Sequence, residues 1–190
     1  MAFFPMFIDL TGANCLVIGD SDAVLKRSDA LLDFGAKVKV ITKDEFTPAD
    51  LQGRKIVLVD TDDEEINLQI SMLCKDAGIA VNIVDKPELG TFSFPAYVKE
   101  GDLVGGFSSS GKSTALARFL ANKEKEVLTP KLADLNEMLG KWKQPIEELF
   151  PMKSSQNSAF EQLIDYALCY DGTPTDEEVE ELLMSISMTL

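Results

Sequence analysis

The chain contains no histidine. Imidazole is therefore excluded both as a metal ligand and as a proton carrier, and acid–base chemistry falls to carboxylates, Lys, Tyr or Cys. Cationic side chains are scarce as well. Eighteen Lys and Arg stand against 32 Asp and Glu, a formal net charge of −14, which argues against nucleic acid and anionic membrane as partners. No apolar run approaches the ~20 residues needed to span a bilayer. The N-terminal MAFFPMFIDL is apolar but lacks a basic segment and a small-residue cleavage site, so it does not read as a signal peptide. The three cysteines, Cys15, Cys74 and Cys169, are far apart in apolar patterns. They read as buried thiols in a reducing cytoplasm rather than a disulfide framework. Trp142 and the phenylalanines read as core. The seven methionines are scattered and form no cofactor-box spacing.

What is present is enough apolar character, 45% of 190 residues, for one domain or two small ones. Through the first hundred residues, strand and helix patterns alternate. NCLVIG (14–19) is a short apolar run stopped by Gly. SDAVLKRSDALLDFG (21–35) has Ala23, Leu25, Ala30, Leu31, Leu32 and Phe34 at mostly helical spacing. AKVKVIT (36–42), KIVLVD (55–60) and IAVNIVD (79–85) are further strands, with a helix over 64–78. This order predicts a parallel sheet with right-handed crossovers, and ligands beyond the carboxyl ends of its strands. Those ends are Gly19, Thr42, Asp60-Thr61-Asp62 and Asp85. After Pro87 the pattern predicts two short strands turning at Glu100-Gly101-Asp102. Helices follow over 113–128, 131–150 (interrupted near Gln144-Pro145), 158–170 and 175–188, with PMKSSQNS (151–158) as a linker. Thr175 and Glu178 form a capping box, and the acidic run 176–181 is a solvated face at a helix start. The division is 1–90, 91–125 and 126–190: an α/β domain, a small strand-containing region and a helical C-terminal region.

GFSSSGKST (106–114) places Gly106, Gly111, Lys112 and Ser113 in the spacing of a phosphate-binding loop, G-x-x-x-x-G-K-[ST]. A P-loop ATPase needs that loop after an early strand, with a strand ending in a Mg²⁺-binding Asp later in the chain. Here the order is reversed, because the strands ending in Asp60 and Asp85 precede the loop. A serine-rich loop opening a helix still offers N–H groups, a positive dipole end and Lys112 to an anion.

FFPMFIDLTG at the N-terminus, CLVIG, TDDEEIN, VNIVDKPELGTFSFPA and SSSGKSTALARFL together resemble the precorrin-2 dehydrogenase / sirohydrochlorin ferrochelatase family, the N-terminal module of siroheme synthase. The resemblance runs from residue 3 to about 150. It implies a Rossmann-like NAD-binding domain, and a dimerisation and tetrapyrrole-binding region over 91–125. The implied activity is NAD⁺-dependent oxidation of precorrin-2 to sirohydrochlorin, with Fe²⁺ as a further substrate in members that also insert metal. Asp85 stands where the family places its acid–base residue. Its position at a strand end in a histidine-free chain agrees, with capping of the Lys86-Pro87 turn as the alternative role. The resemblance implies NAD contacts at Gly19, Ser21, Asp22, Ala23, Thr42, Lys43 and Thr61. It also implies octacarboxylate tetrapyrrole contacts at Ser108, Ser109, Ser110, Gly111, Lys112 and Ser113, and a homodimer. No metal site is assigned.

Two departures fall on the dinucleotide site. The turn is Gly19-Asp20-Ser21 rather than glycine-rich, so a side chain sits where the backbone approaches the pyrophosphate, and Asp20 and Asp22 add negative charge. The segment between VKVIT and KIVLVD is only about a dozen residues, where the family fits another helix and strand. Three readings follow: an NAD-dependent dehydrogenase with or without chelatase activity, a family member with an impaired NAD site acting as a chelatase or a tetrapyrrole-binding protein, and a P-loop ATPase.

Overall fold

The computed structural model describes residues 4–169 and 172–189. Phe3, where the family resemblance begins, and Tyr170, the end of one expected helix, lie outside the described residues. The chain divides into two compact units, Met1–Ala96 with Ser108–Ala117, and Tyr97–Phe107 with Arg118–Leu190. Residues 91–125 contribute to both.

The first unit is built on four parallel strands in the order β2-β1-β3-β4. They are β1 Asn14–Ile18, β2 Lys37–Ile41, β3 Ile56–Val59 and β4 Ala80–Ile83, with α1 Asp22–Asp33 between β1 and β2 and α2 Glu64–Asp76 between β3 and β4. The central strands β1 and β3 are buried on both faces, as their unbroken apolar runs require. Period-2 alternation sorts their side chains into two cores. Leu16, Ile18, Val57 and Val59 join Ile70 and Cys74 of α2, while Cys15, Val17, Ile56 and Leu58 join Val24 and Leu31 of α1. The two helices thus lie on opposite faces of the sheet. Each large aliphatic side chain fully buried here stabilises the fold by roughly 1.5–3 kcal/mol. The buried residues of α1 are Val24, Ser28, Ala30 and Leu31, whereas Leu25 and Leu32 are exposed, a rotation from the face the sequence suggested.

Between β2 and β3 the chain makes two 3-10 turns, Lys43–Glu45 and Pro48–Leu51. Each is closed by a capping box, Thr42 with Glu45 and Thr47 with Asp50, and Leu51 is buried in the α2-side core. A second covering follows β4. Thr91 donates its backbone N–H to the Val81 carbonyl at 2.8 Å, and its hydroxyl accepts from the Val81 N–H at 2.9 Å. The buried Asn82 donates to the Phe92 carbonyl at 3.1 Å and accepts from the Arg27 guanidinium, which lies 5.6 Å from the Phe94 ring centroid. This polar cluster fixes 91–94 along the edge of β4. Asn82, a polar residue inside an apolar strand, was its only sequence signal.

The second unit contains the hairpin β5 Ala96–Glu100 and β6 Leu103–Phe107, a two-stranded sheet, and three helices: α4 Pro130–Leu149, α5 Lys153–Cys169 and α6 Asp176–Ser187. The helix α3 Thr114–Glu124 follows the serine loop. Four sequence expectations are corrected here. The helix over 131–150 is not interrupted, because Pro145 sits inside a continuous α4. Trp142, Ile146 and Phe150, on either side of it, are buried in one core with Leu163 and Val179, and that burial offsets the missing hydrogen bond. Residues 151–158 are not a linker: α5 begins at Lys153, its buried face running Gln156, Ala159, Leu163, Ala167. Gln156 closes the corner by donating to the Phe150 carbonyl at 2.9 Å. The thiols are not all buried, since Cys169 is exposed, and Phe4, Phe7 and Phe119 are exposed rather than core.

At the carboxyl end of the sheet, Gly19 leaves β1 with φ +125°, where an added Cβ would lie 2.0 Å from the Asp60 carbonyl oxygen. Replacing Gly19 by Ala therefore forces two backbones apart. We expect Gly19→Ala to cost about 3–5 kcal/mol in urea unfolding. Gly53→Ala, at φ +69° with open space around it, is expected to cost only about 1–2 kcal/mol. Equal costs would show that the β1–β3 approach is not tight.

Candidate dinucleotide crevice and serine loop

Because β1 feeds α1 on one face and β3 feeds α2 on the other, the chain leaves these neighbouring strands in opposite directions. In an open α/β sheet that reversal opens a crevice beyond the strands' carboxyl ends. Gly19 and Asp60 form its floor, Gly19 N–H donating to the Ile41 carbonyl and Asp60 N–H to the Ile18 carbonyl, both at 2.9 Å.

Ser21 is the N-cap of α1, and its Oγ accepts from the Val24 N–H at 3.2 Å. The same hydroxyl donates to the carboxylate of Asp60, thirty-nine residues away. Asp20, Asp22 and Ala23 are exposed around this cap. Thr61 is committed to the start of α2: its hydroxyl donates to Asn67 Oδ1 at 2.7 Å, and Asn67 Nδ2 donates to the Thr61 carbonyl at 3.0 Å. Asp63 then caps α2 by accepting from the Glu65 and Ile66 N–H groups.

The two lysines at this end of the sheet are engaged. Lys43 pairs with Asp62, and because β2 and β3 flank β1, the pair spans the end of β1. Its hydrogen bond to Asp62 raises the Lys43 pKa, and that of Asp62 is lowered in turn. Lys86 pairs with Glu64 at 2.7 Å, with the same reciprocal shifts. Thr42 donates both its N–H and its hydroxyl to Glu45 Oε2, at 2.8 and 2.9 Å, and the backbone bond is the main cause of the lowered Glu45 pKa. These exposed pairs contribute little to stability, yet they leave the crevice with a surplus of carboxylates. Of the residues implied for NAD, the structure gathers Gly19, Ser21, Asp22, Ala23 and Thr61 around the β1–β3 crevice, with Thr42 and Lys43 at the neighbouring end of β2. The Ser21–Asp60 and Lys43–Asp62 pairings went unread in the sequence, whose only sign of them was an Asp-rich strand end.

Asp85 follows β4 in the left-handed region, φ 62°, and is exposed. Ser110, in the serine loop, is the other described non-glycine residue at positive φ, 54°. Such backbone costs of order 1–3 kcal/mol unless the residue tolerates it, as Asp does better than most, and it concentrates at functional sites.

The serine loop is tied to itself. Ser110 N–H donates to Ser108 Oγ at 3.2 Å, Ser113 N–H to Ser109 Oγ at 2.9 Å, and Leu116 N–H to Ser113 Oγ at 3.1 Å. Backbone donors that a P-loop turns toward phosphate are here taken by the loop's own hydroxyls. Among the described residues, the preceding strand, β6, pairs only with β5 and is no part of the parallel sheet. Gly111 is at φ +80° with open space around it, and Lys112 is exposed. Each of the three accepting hydroxyls keeps its own hydrogen for an outside acceptor. Among the described residues, no group of three or more His, Cys, Asp or Glu is arranged to hold a metal ion, and no helix is long and apolar enough to cross a membrane.

Comparison with known proteins bears on the same regions. Residues 6–96 match a family described as "Putative NAD(P)-binding". Siroheme synthase of Ectopseudomonas mendocina is 30% identical over 203 aligned residues, covering 96% of this chain and 44% of the relative. Siroheme synthase of Tolumonas auensis is 29% identical over 165, covering 78% of this chain and 35% of the relative. The chain thus spans less than half the length of these curated relatives. The solved structure of SirC, a precorrin-2 dehydrogenase, superposes with a TM-score of 0.74 at 20% identity, covering 98% of this chain and 100% of that one. The parallel sheet with crossovers on both faces is accordingly the Rossmann-like fold of that structure, and residues 6–96 of this chain carry the NAD(P)-binding match.

Proposed function

We propose that this protein catalyses the NAD-dependent dehydrogenation of precorrin-2 to sirohydrochlorin in siroheme synthesis, in the cytoplasm. The observation that carries the reading is Asp85: a carboxylate at the carboxyl end of a sheet strand, in left-handed backbone, exposed to an incoming substrate. Dehydrogenation removes a hydride and a proton. Bound NAD⁺ supplies the hydride acceptor, and Asp85 is the base for the proton. The β1–β3 crevice would hold the dinucleotide, with Gly19, Ser21, Thr42 and Lys43 among the residues around it.

The serine loop binds the tetrapyrrole. Its hydroxyls at Ser108, Ser109 and Ser113 are oriented by the backbone bonds they accept, so they meet substrate carboxylates with little further ordering. Lys112 adds the charge. With Fe²⁺ as substrate, Asp85 is also the group placed to take the protons that metal insertion releases. Residues 91–125 form the dimerisation region. A two-stranded sheet is marginal alone, and α3 exposes Leu116, Phe119 and Leu120. A monomer at micromolar concentration in sedimentation would count against that arrangement.

The test is anaerobic turnover of precorrin-2 with NAD⁺, following NADH and sirohydrochlorin together. The unsubstituted protein should form them one to one. Asp85→Ala should lose at least ~100-fold in turnover, as removal of a general base does, with NAD⁺ affinity unchanged. Lys112→Ala should weaken tetrapyrrole binding and produce no ATP phenotype. Full turnover in Asp85→Ala would remove the assigned base, and Mg²⁺-dependent ATP hydrolysis abolished by Lys112→Ala would restore the P-loop reading.

A further inference from the structure

We infer that Asp60 is the residue that sets dinucleotide affinity in this protein, because its carboxylate is bound to the hydroxyl that caps the N-terminus of α1. The inference rests on the β1–β3 crevice being the dinucleotide site.

The N-terminus of a helix beyond a strand end attracts an anion through its unpaired N–H groups and dipole, and in dinucleotide-binding sheets that anion is the pyrophosphate. Here a chain of hydrogen bonds runs from the Val24 N–H to Ser21 Oγ and from the Ser21 hydroxyl to the Asp60 carboxylate. One of the donors of the first turn is thus already turned, through Ser21, to an internal anion. The Asp60 backbone is held beside this turn, because its carbonyl abuts Gly19 and its N–H is bonded to the Ile18 carbonyl. An incoming pyrophosphate therefore meets a negative charge beside the turn that should receive it, and must displace it from Ser21. The surroundings do not compensate. Asp20 and Asp22 flank the cap, Lys43 is paired with Asp62, and Lys86 with Glu64.

This changes what must be altered to obtain tight binding. Gly at Asp20 and Ser21 would clear the side chain from the turn and still leave Asp60, whose carboxylate could then accept from the freed helix N–H groups directly. Asp60→Asn keeps the size of the side chain and an oxygen to accept from Ser21, and removes the charge. Removing one charge from beside a pyrophosphate in a partly buried crevice is worth ~10–100-fold in Kd.

The experiment is calorimetric titration of Asp60→Asn, Asp60→Ser, Asp20→Gly/Ser21→Gly and the unsubstituted protein with NAD⁺ and, separately, with uncharged adenosine. Backbone amide shifts of Gly19, Asp22 and Thr61 are followed in parallel. We expect Asp60→Asn to bind NAD⁺ at least ~10-fold more tightly, the double glycine variant to gain less than that, and adenosine affinity to stay the same throughout. Asp60→Ser, which is shorter and equally uncharged, should gain as Asp60→Asn does, so the result survives a folding defect in either one. If NAD⁺ shifts the three amides and neither Asp60 variant gains, the inference is wrong and the crevice assignment stands. If NAD⁺ shifts none of them in any variant, the crevice assignment falls too.

Discussion

The approach of β1 to β3 at Gly19 and Asp60 is the constraint on which the rest of the first unit depends. The two central strands are buried on both faces, so their register is fixed by the two cores and cannot slip without exposing one of them. Once that register is set, Gly19 and the Asp60 carbonyl meet where no Cβ fits. The end of β1, the start of α1 and the turn into α2 are then placed within one small region. The features at the ends of β1 and β3 follow from this contact, including the one that opposes the dinucleotide, since it brings the Asp60 side chain under the cap of α1.

Much of this fold could be read from the sequence for a physical reason. A strand buried on both faces must be apolar throughout, and a helix packed on a sheet must carry an apolar stripe. CLVI, IVLV and the helices between the strands satisfied those requirements openly. What could not be read was decided by tertiary context. Pro145 looked like a break, but Trp142 and Ile146 are held in one core across it. SSQNS looked like a linker, but Gln156 finds a carbonyl at the α4–α5 corner and Ala159 begins a buried face. At the crevice, the sequence marked Asp60 and Ser21 separately as a strand end and a damaged glycine turn. Their hydrogen bond spans thirty-nine residues and leaves no trace in local pattern.

The serine loop separates a motif from its physics. GFSSSGKS satisfies a phosphate-loop spacing, yet that spacing works only where backbone N–H groups are free. Ser108 and Ser109 consume two of them, and Ser113 takes another in the first turn of α3. What remains outward is a set of hydroxyl hydrogens and one lysine, a chemistry suited to several carboxylates spread over a large ligand rather than to one compact triphosphate. The helix-start character that made the segment look like a nucleotide site is used internally.

The account joins a family resemblance to a crevice whose helix cap is bound by the protein's own carboxylate. The most direct test is a crystal structure of the protein with NAD⁺ at saturating concentration. The account predicts the pyrophosphate over the first turn of α1, beside Gly19 and Ser21, with the Asp60 carboxylate released from the Ser21 hydroxyl. A nucleotide bound instead on residues 108–113, or a pyrophosphate over α1 with the Ser21–Asp60 bond intact, would contradict it.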